Sequence, residues 1–128
     1  MLDRIFGGDG FVAQTRALDA GALRQQAIAH NLANVNTPGF KRQDVAFETS
    51  LSHALAERRA SGGTGSNPVD RVRPEIVTPS NSSLRADGNN VDMEAENVNA
   101  AMNTLKYEAL TQMVGGYFSG LKAAISGR

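Results

Sequence analysis

The side chains able to do chemistry are few, and they are badly placed for it. The chain of 128 residues holds two histidines, His30 and His53, and no cysteine. Disulfides, thiolate zinc sites and cysteine nucleophiles are therefore out of reach. His30 falls on the polar flank of one predicted helix and His53 on the exposed side of another, with no Ser/His/Asp order to suggest a triad. Gly63-Thr64-Gly65 lacks the third glycine of a dinucleotide loop, and Ser66-Asn67 follows where a phosphate loop needs Lys-Ser/Thr. Asp87-Gly88-Asn89-Asn90-Val91-Asp92 resembles the start of a calcium loop. Its sixth and twelfth positions, however, are Asp92 and Val98 where that loop needs glycine and glutamate. Glu94 and Glu96 are accounted for by a helix start, where carboxylates meet the positive end of the dipole. These residues predict no catalytic centre, no metal site and no cofactor.

The charge balance points the same way. Thirteen basic residues match thirteen acidic ones, so the chain has no electrostatic footprint of a nucleic-acid binder. No apolar run approaches the roughly 18–20 residues that cross a bilayer, which excludes direct membrane insertion by a helix. Met1-Leu2-Asp3-Arg4-Ile5-Phe6-Gly7-Gly8-Asp9 has neither the basic patch nor the apolar stretch of a cleaved secretory signal.

Periodicity predicts two long helices at the ends. In the first, over about 11–34, Phe11, Leu18, Ile28, Leu32 and Val35 mark one face. Gln14, Gly21 and Gln25 share its register, and such small or polar residues narrow a seam and set its pairing. Thr37, Pro38 and Gly39 stop it. The second starts at the N-cap Asp92 and runs to about Ile125, with Gly127 as terminator. Its stripe is Val91, Ala95, Val98, Met102, Leu105, Ala109, Met113, Tyr117, Leu121 and Ala124. A helix of that length points to a coiled-coil-like element. Gly116 and Gly120 within it carry the small-xxx-small spacing that allows close helix approach.

The middle is softer. Phe47, Leu51 and Leu55 predict a short helix over 45–59. Residues 61–68 read as a flexible linker, 69–77 as short strands with Pro74 confined to an edge, and 80–90 as turns. Large apolar residues are scarce from 58 to 90, so burial capacity sits at the two ends. The chain divides into 1–57, 58–90 and 91–128 within one structural domain. Burial along the two stripes falls short of the entropy of ordering such long helices. The ends are therefore expected to pack against other copies or partners, with Leu18, Ile28, Leu32, Val98, Met102, Leu105, Met113 and Leu121 as the assembly seam.

Two motifs carry a resemblance. Asn31, Ala33, Asn34, Asn36, Thr37, Pro38, Gly39, Phe40 and Lys41 resemble the N-terminal signature of bacterial flagellar rod and hook proteins. Asp87, Gly88, Asn89, Asn90, Val91, Asp92 and Glu94, with Leu105-Lys106-Tyr107 and the closing Leu121-Lys122-Ala123-Ala124-Ile125, are similar to the proximal-rod branch of that family. The resemblance implies an all-α fold whose terminal helices pair as an antiparallel coiled-coil hairpin, with a short helix and a small, β-poor middle. It implies a non-catalytic building block of the periplasmic rod, the drive shaft from membrane ring to hook. Its partners would be other copies, other rod subunits, the rod-base adaptor at the membrane ring and export gate, and the flagellar type III export apparatus. Export would proceed without a cleaved signal, and Phe47 and Leu51 resemble the Phe-xxx-apolar gate signal of early export substrates. The same pair also reads as the buried face of the short helix. Another small rod subunit and a helical adaptor or secretion chaperone are the competing readings.

Overall fold

The computed structural model describes residues 8–79 and 85–127. The expectations for the first seven residues and for 80–84 lie outside the described residues. Helix α1 is Asp9–Ala33, strand β1 Asp44–Ala46, helix α2 Glu48–Ala60, a 3-10 turn Pro68–Arg71, strand β2 Glu75–Val77, and helix α3 Met93–Ser126. The architecture is all-α, with the two long helices packed together and a two-stranded ribbon as its β structure among the described residues.

Local chemistry explains the ends of the elements. Asp92 caps α3 by accepting from the N–H groups of Glu94 (2.9 Å) and Ala95 (3.2 Å). Gly127 ends it in a left-handed conformation, φ 67°, and its N–H donates to the Ala123 carbonyl. At the other junction Gly39 takes φ 72° just after Pro38, where a β-carbon would be costly. One boundary differs from expectation. Residues 44–46, read as the start of the short helix, form β1 and pair antiparallel with β2, Val45 opposite Ile76. Asp44 accepts from the Val45 N–H at 2.8 Å, a local bond that competes with helical geometry there.

The hydrophobic core lies between α1, the ribbon, α2 and the 3-10 turn. Ala20 and Ala27 meet Val45, Phe47, Ala54, Val69 and Val72, with Val12, Leu23, Leu51 and Leu55 around them. The middle is thus not bare of burial capacity. Val69 is fully buried and Val72 nearly so, and a few well-placed valines complete a core that a count of large side chains misses.

Helices α1 and α3 run antiparallel. Asn31 meets Glu96 near one end, Gly21 meets Asn103 and Tyr107 in the middle, and Phe11 stacks on Tyr117 near the other. A β-carbon on Gly21 would stand 2.9 Å from the Tyr107 ring, so glycine is what lets the helices approach. Asn103 donates to the Gly21 carbonyl (3.0 Å) and to Gln25 Oε1 (2.9 Å). The small and polar positions of α1 therefore set the pairing as their register predicts. The face that α3 turns to α1 is a different matter. It follows Glu96, Ala100, Asn103, Tyr107, Leu110, Val114, Tyr117 and Leu121, alternating four- and three-residue steps. The apolar stripe through Val98, Met102, Leu105 and Met113 is rotated from it by roughly a third of a turn and stays exposed. The expected packing of this stripe on α1 does not occur within the chain, because buried polar groups occupy the facing register.

Candidate functional site

The two sequence motifs, far apart along the chain, meet at one end of the helix pair. Helix α1 stops at Ala33; the N–H groups of Asn34 and Val35 serve the carbonyls of His30, Asn31 and Leu32, and the turn carbonyls just beyond the helix are left to be satisfied from elsewhere. Asn89, fully buried, supplies the donors. Its Nδ2 reaches the carbonyls of Asn34 (3.0 Å), Val35 (3.2 Å) and Thr37 (2.8 Å). Its own Oδ1 accepts from the Val91 N–H at 2.7 Å, which fixes the side chain's orientation. Asn34 closes the turn locally, with Nδ2 donating to the His30 carbonyl and Oδ1 accepting from the Thr37 hydroxyl.

The backbones join too. The Gly39 N–H donates to the Asp87 carbonyl (2.9 Å), and Lys41 Nζ to the Gly88 carbonyl (2.6 Å). Gly39 and Gly88 both hold positive φ, 72° and 82°, and face each other closely. Arg85 donates to the Val35 carbonyl (2.8 Å) and pairs with Asp87. Phe40 sets its ring edge-on to His30, 5.3 Å between centroids.

Below this lies a buried charge pair. Glu96, 0% exposed, accepts from Arg42 Nε (2.6 Å) and from Asn31 Nδ2 (3.0 Å). Asn31, also fully buried, exchanges both of its amide groups with the backbone of Gln43. The Arg42 N–H donates to Asn90 Oδ1 (2.6 Å), and its guanidinium reaches Asp44 (2.8 Å). Each polar atom named here has a partner, the condition under which a buried network is tolerated. Burial works against the Arg42 charge, but Asp44 and Glu96 outweigh it and raise its pKa. Burial pushes the Asp44 carboxyl up; hydrogen bonds from Arg42 and the Val45 N–H, with the Arg42 and Arg24 charges, outweigh it and hold the carboxyl below its ordinary value.

That depression has a sign. Asp44 stabilises the fold fully above the ordinary aspartate pKa of about 3.9, and the contribution is lost as pH falls through the lower folded value. Asp44→Asn should therefore lower the urea midpoint at pH 7, and the gap from wild type should close as acid is added below pH ~4. A gap constant across that range would show that the carboxylate contributes no charge interaction.

The arrangement is a clasp, holding the end of α1, the strand β1 and the start of α3 in one rigid corner. It presents no nucleophile–base pair and, among the described residues, no group of three or more metal-ligating side chains. What such a corner can do is fix the angle at which two long helices leave it. A family model described as flagella basal body rod protein matches residues 12–41, from within α1 through the Pro38–Gly39 turn. The chain is also 34% identical over 139 residues to the flagellar basal body rod protein FlgB of Yersinia enterocolitica, covering 98% of each. It belongs to the flagellar basal body rod protein family. The FlgB proteins of Salmonella typhimurium, 34% identical with 99% of each chain covered, and of Bacillus subtilis, 31% identical with 87% of this chain and 88% of the relative covered, match likewise.

In this rod-family chain the N-terminal signature splits by environment. Asn31 is buried, Asn34, Val35 and Phe40 are half-buried, and Ala33, Asn36, Thr37, Pro38, Gly39 and Lys41 are exposed around the turn. Of the second signature, Asn89, Asn90 and Val91 are buried, Gly88 half-buried, and Asp87, Asp92 and Glu94 exposed. Of the expected seam residues, Ile28 is buried while Leu18, Leu32 and Leu121 are half-buried. Val98, Met102, Leu105 and Met113 are all exposed, Leu105 most of all at 66%. Met102 shares a cavity of about 170 Å³ with Ile28 and Arg42, and Met113 borders a groove with Phe47 and Leu51. Phe47 is buried in the core, and Leu51 packs against it.

Sequence reasoning missed Arg42 and the role of Glu96. The helix-dipole reading groups Glu96 with Glu94, yet the two differ completely in burial. The signal that could have separated them is the seven-residue spacing of Glu96 and Asn103, two polar residues on one face of a long helix.

Proposed function

We propose that this chain is a structural subunit of the proximal rod of the bacterial flagellar basal body, polymerising through its terminal helices as part of the drive shaft between membrane ring and hook. The observation that carries this reading is the exposed apolar stripe of α3, through Val98, Met102, Leu105 and Met113, in a member of a rod-protein family. A contiguous apolar strip along a helix that is already paired on another face fits contact with further chains. The role is mechanical rather than catalytic: the clasp sets the helix pair, and the stripe joins it to neighbours. Those neighbours are other copies, other rod subunits and a rod-base adaptor at the membrane ring and export gate. The subunit works in the periplasm, reached through the flagellar type III apparatus without a cleaved signal.

The test is recovery of a tagged, motility-competent chain in purified basal bodies, at the rod's membrane-proximal end in labelled images. Its recovery instead as a soluble complex with another export substrate would replace this reading with that of an adaptor or chaperone.

Phe47 and Leu51 serve export in this reading as a Phe-xxx-apolar signal read on the unfolded chain. Their burial in the folded chain leaves that role compatible, because packing acts only afterwards. Phe47→Ala with Leu51→Ala should trap the chain in the cytoplasm, whereas Leu55→Ala, which also borders the core, should be exported normally. Secretion of the double variant at the wild-type rate would leave the pair with a packing role alone.

A further inference from the structure

Helix α3 is fastened to the rest of the chain unevenly. Its first half is held by the buried Glu96 pair and by Asn103, which donates to α1 at Gly21 and Gln25. Then come Gly115 and Gly116, consecutive about two-thirds of the way along a continuous helix. A β-carbon at either position, or at Gly120, would meet nothing within 4 Å. Among the described residues no packing requires glycine there, in contrast to Gly21. Paired glycines in a helix interior are a recognised cause of bending, since neither side chain nor rotamer restricts the backbone. Beyond them, the ring contacts to α1 among the described residues run to Phe11. Phe11 stacks on Tyr117 at 4.7 Å and meets Phe118 edge-on at 5.6 Å. Past these, Ile125 is among the most exposed large apolar side chains of the described residues.

We propose that Gly115–Gly116 is a hinge about which residues 117–126 swing away from α1, with the Phe11–Tyr117–Phe118 cluster as the latch that holds them closed. Upstream of the hinge the helix stays fixed to the clasp. Such collective hinge motions fall in the microsecond-to-millisecond range.

The absence of cysteine in the sequence makes the test direct, because two introduced cysteines carry spin labels at known places. One pair, Gln26→Cys with Ser126→Cys, spans the hinge; a second, Gln26→Cys with Gln112→Cys, stops short of it. In the full chain, adding Phe11→Ala should broaden the 26–126 distance distribution, chiefly towards shorter values because a straight α3 holds residue 126 near its greatest reach from residue 26, and leave 26–112 unchanged. Adding Gly115→Ala with Gly116→Ala should narrow the 26–126 distribution in both backgrounds. The proposal is overturned if Phe11→Ala leaves 26–126 as it was, or if it broadens both pairs equally, for then the helix moves as one rod. It is equally overturned if the alanine pair has no effect on the width.

Discussion

A subunit carrying Leu105→Asp is expected to fold as the wild type does and to be missing from the rod. Leu105 is two-thirds exposed in the free chain, so a carboxylate there displaces little and should change stability by no more than about 0.5 kcal/mol. Against a neighbouring subunit the same carboxylate would be buried without a partner. An effective penalty of several kcal/mol then applies at every copy. Urea unfolding of the purified chain, export, motility and recovery in basal bodies are the measurements. The expected pattern is a normal midpoint, normal export, no motility and no incorporation, with Glu108→Gln normal throughout. Incorporation of Leu105→Asp at the wild-type level would remove the stripe from the assembly mechanism.

Glu96→Ala should do the reverse and act on the chain itself. It takes from the buried Asn31 Nδ2 one of its two acceptors, leaving the Gln43 carbonyl, and removes one of the two carboxylates facing Arg42. Breaking a buried pair costs about 3–5 kcal/mol, and the low end applies because Arg42 keeps Asp44 and some contact with solvent. Glu94→Ala, in the same turn but exposed, should cost no more than about 0.5 kcal/mol. The two urea midpoints decide it. If Glu96→Ala is no worse than Glu94→Ala, the clasp does not hold the helices together.

The helix ends were legible because their signals are local: Pro38 with Gly39, the Asp92 cap, Gly127. So were the two motifs as motifs. What they do to each other was not legible, because the Asn89 and Asn90 side chains bond main-chain groups in and just beyond the other motif. Such bonds leave no periodic trace. The α1-facing side of α3 was hidden for a related reason. A search for apolar periodicity places Glu96 and Asn103 outside, whereas their side chains are paired and therefore tolerated inside. It then assigns the inner position to the stripe through Leu105, which is apolar but exposed among the described residues. Val69 and Val72 count among the few larger aliphatics of a middle that reads as poor in burial capacity, yet burial depends on where a side chain lands rather than on how many surround it in sequence.

The clasp also imposes an order in time. Asn34 and Asn89 are separated by 55 positions, and Asn31 and Glu96 by 65. Closing loops of that size is slow compared with forming a helical turn, because the entropy is lost before any bond is gained. The carbonyls just beyond α1 therefore wait for a donor that lies most of the way down the chain. A polypeptide presented from either end holds that corner unfinished until both motifs are free. Completion of the corner thus reports that about three-quarters of the chain has arrived.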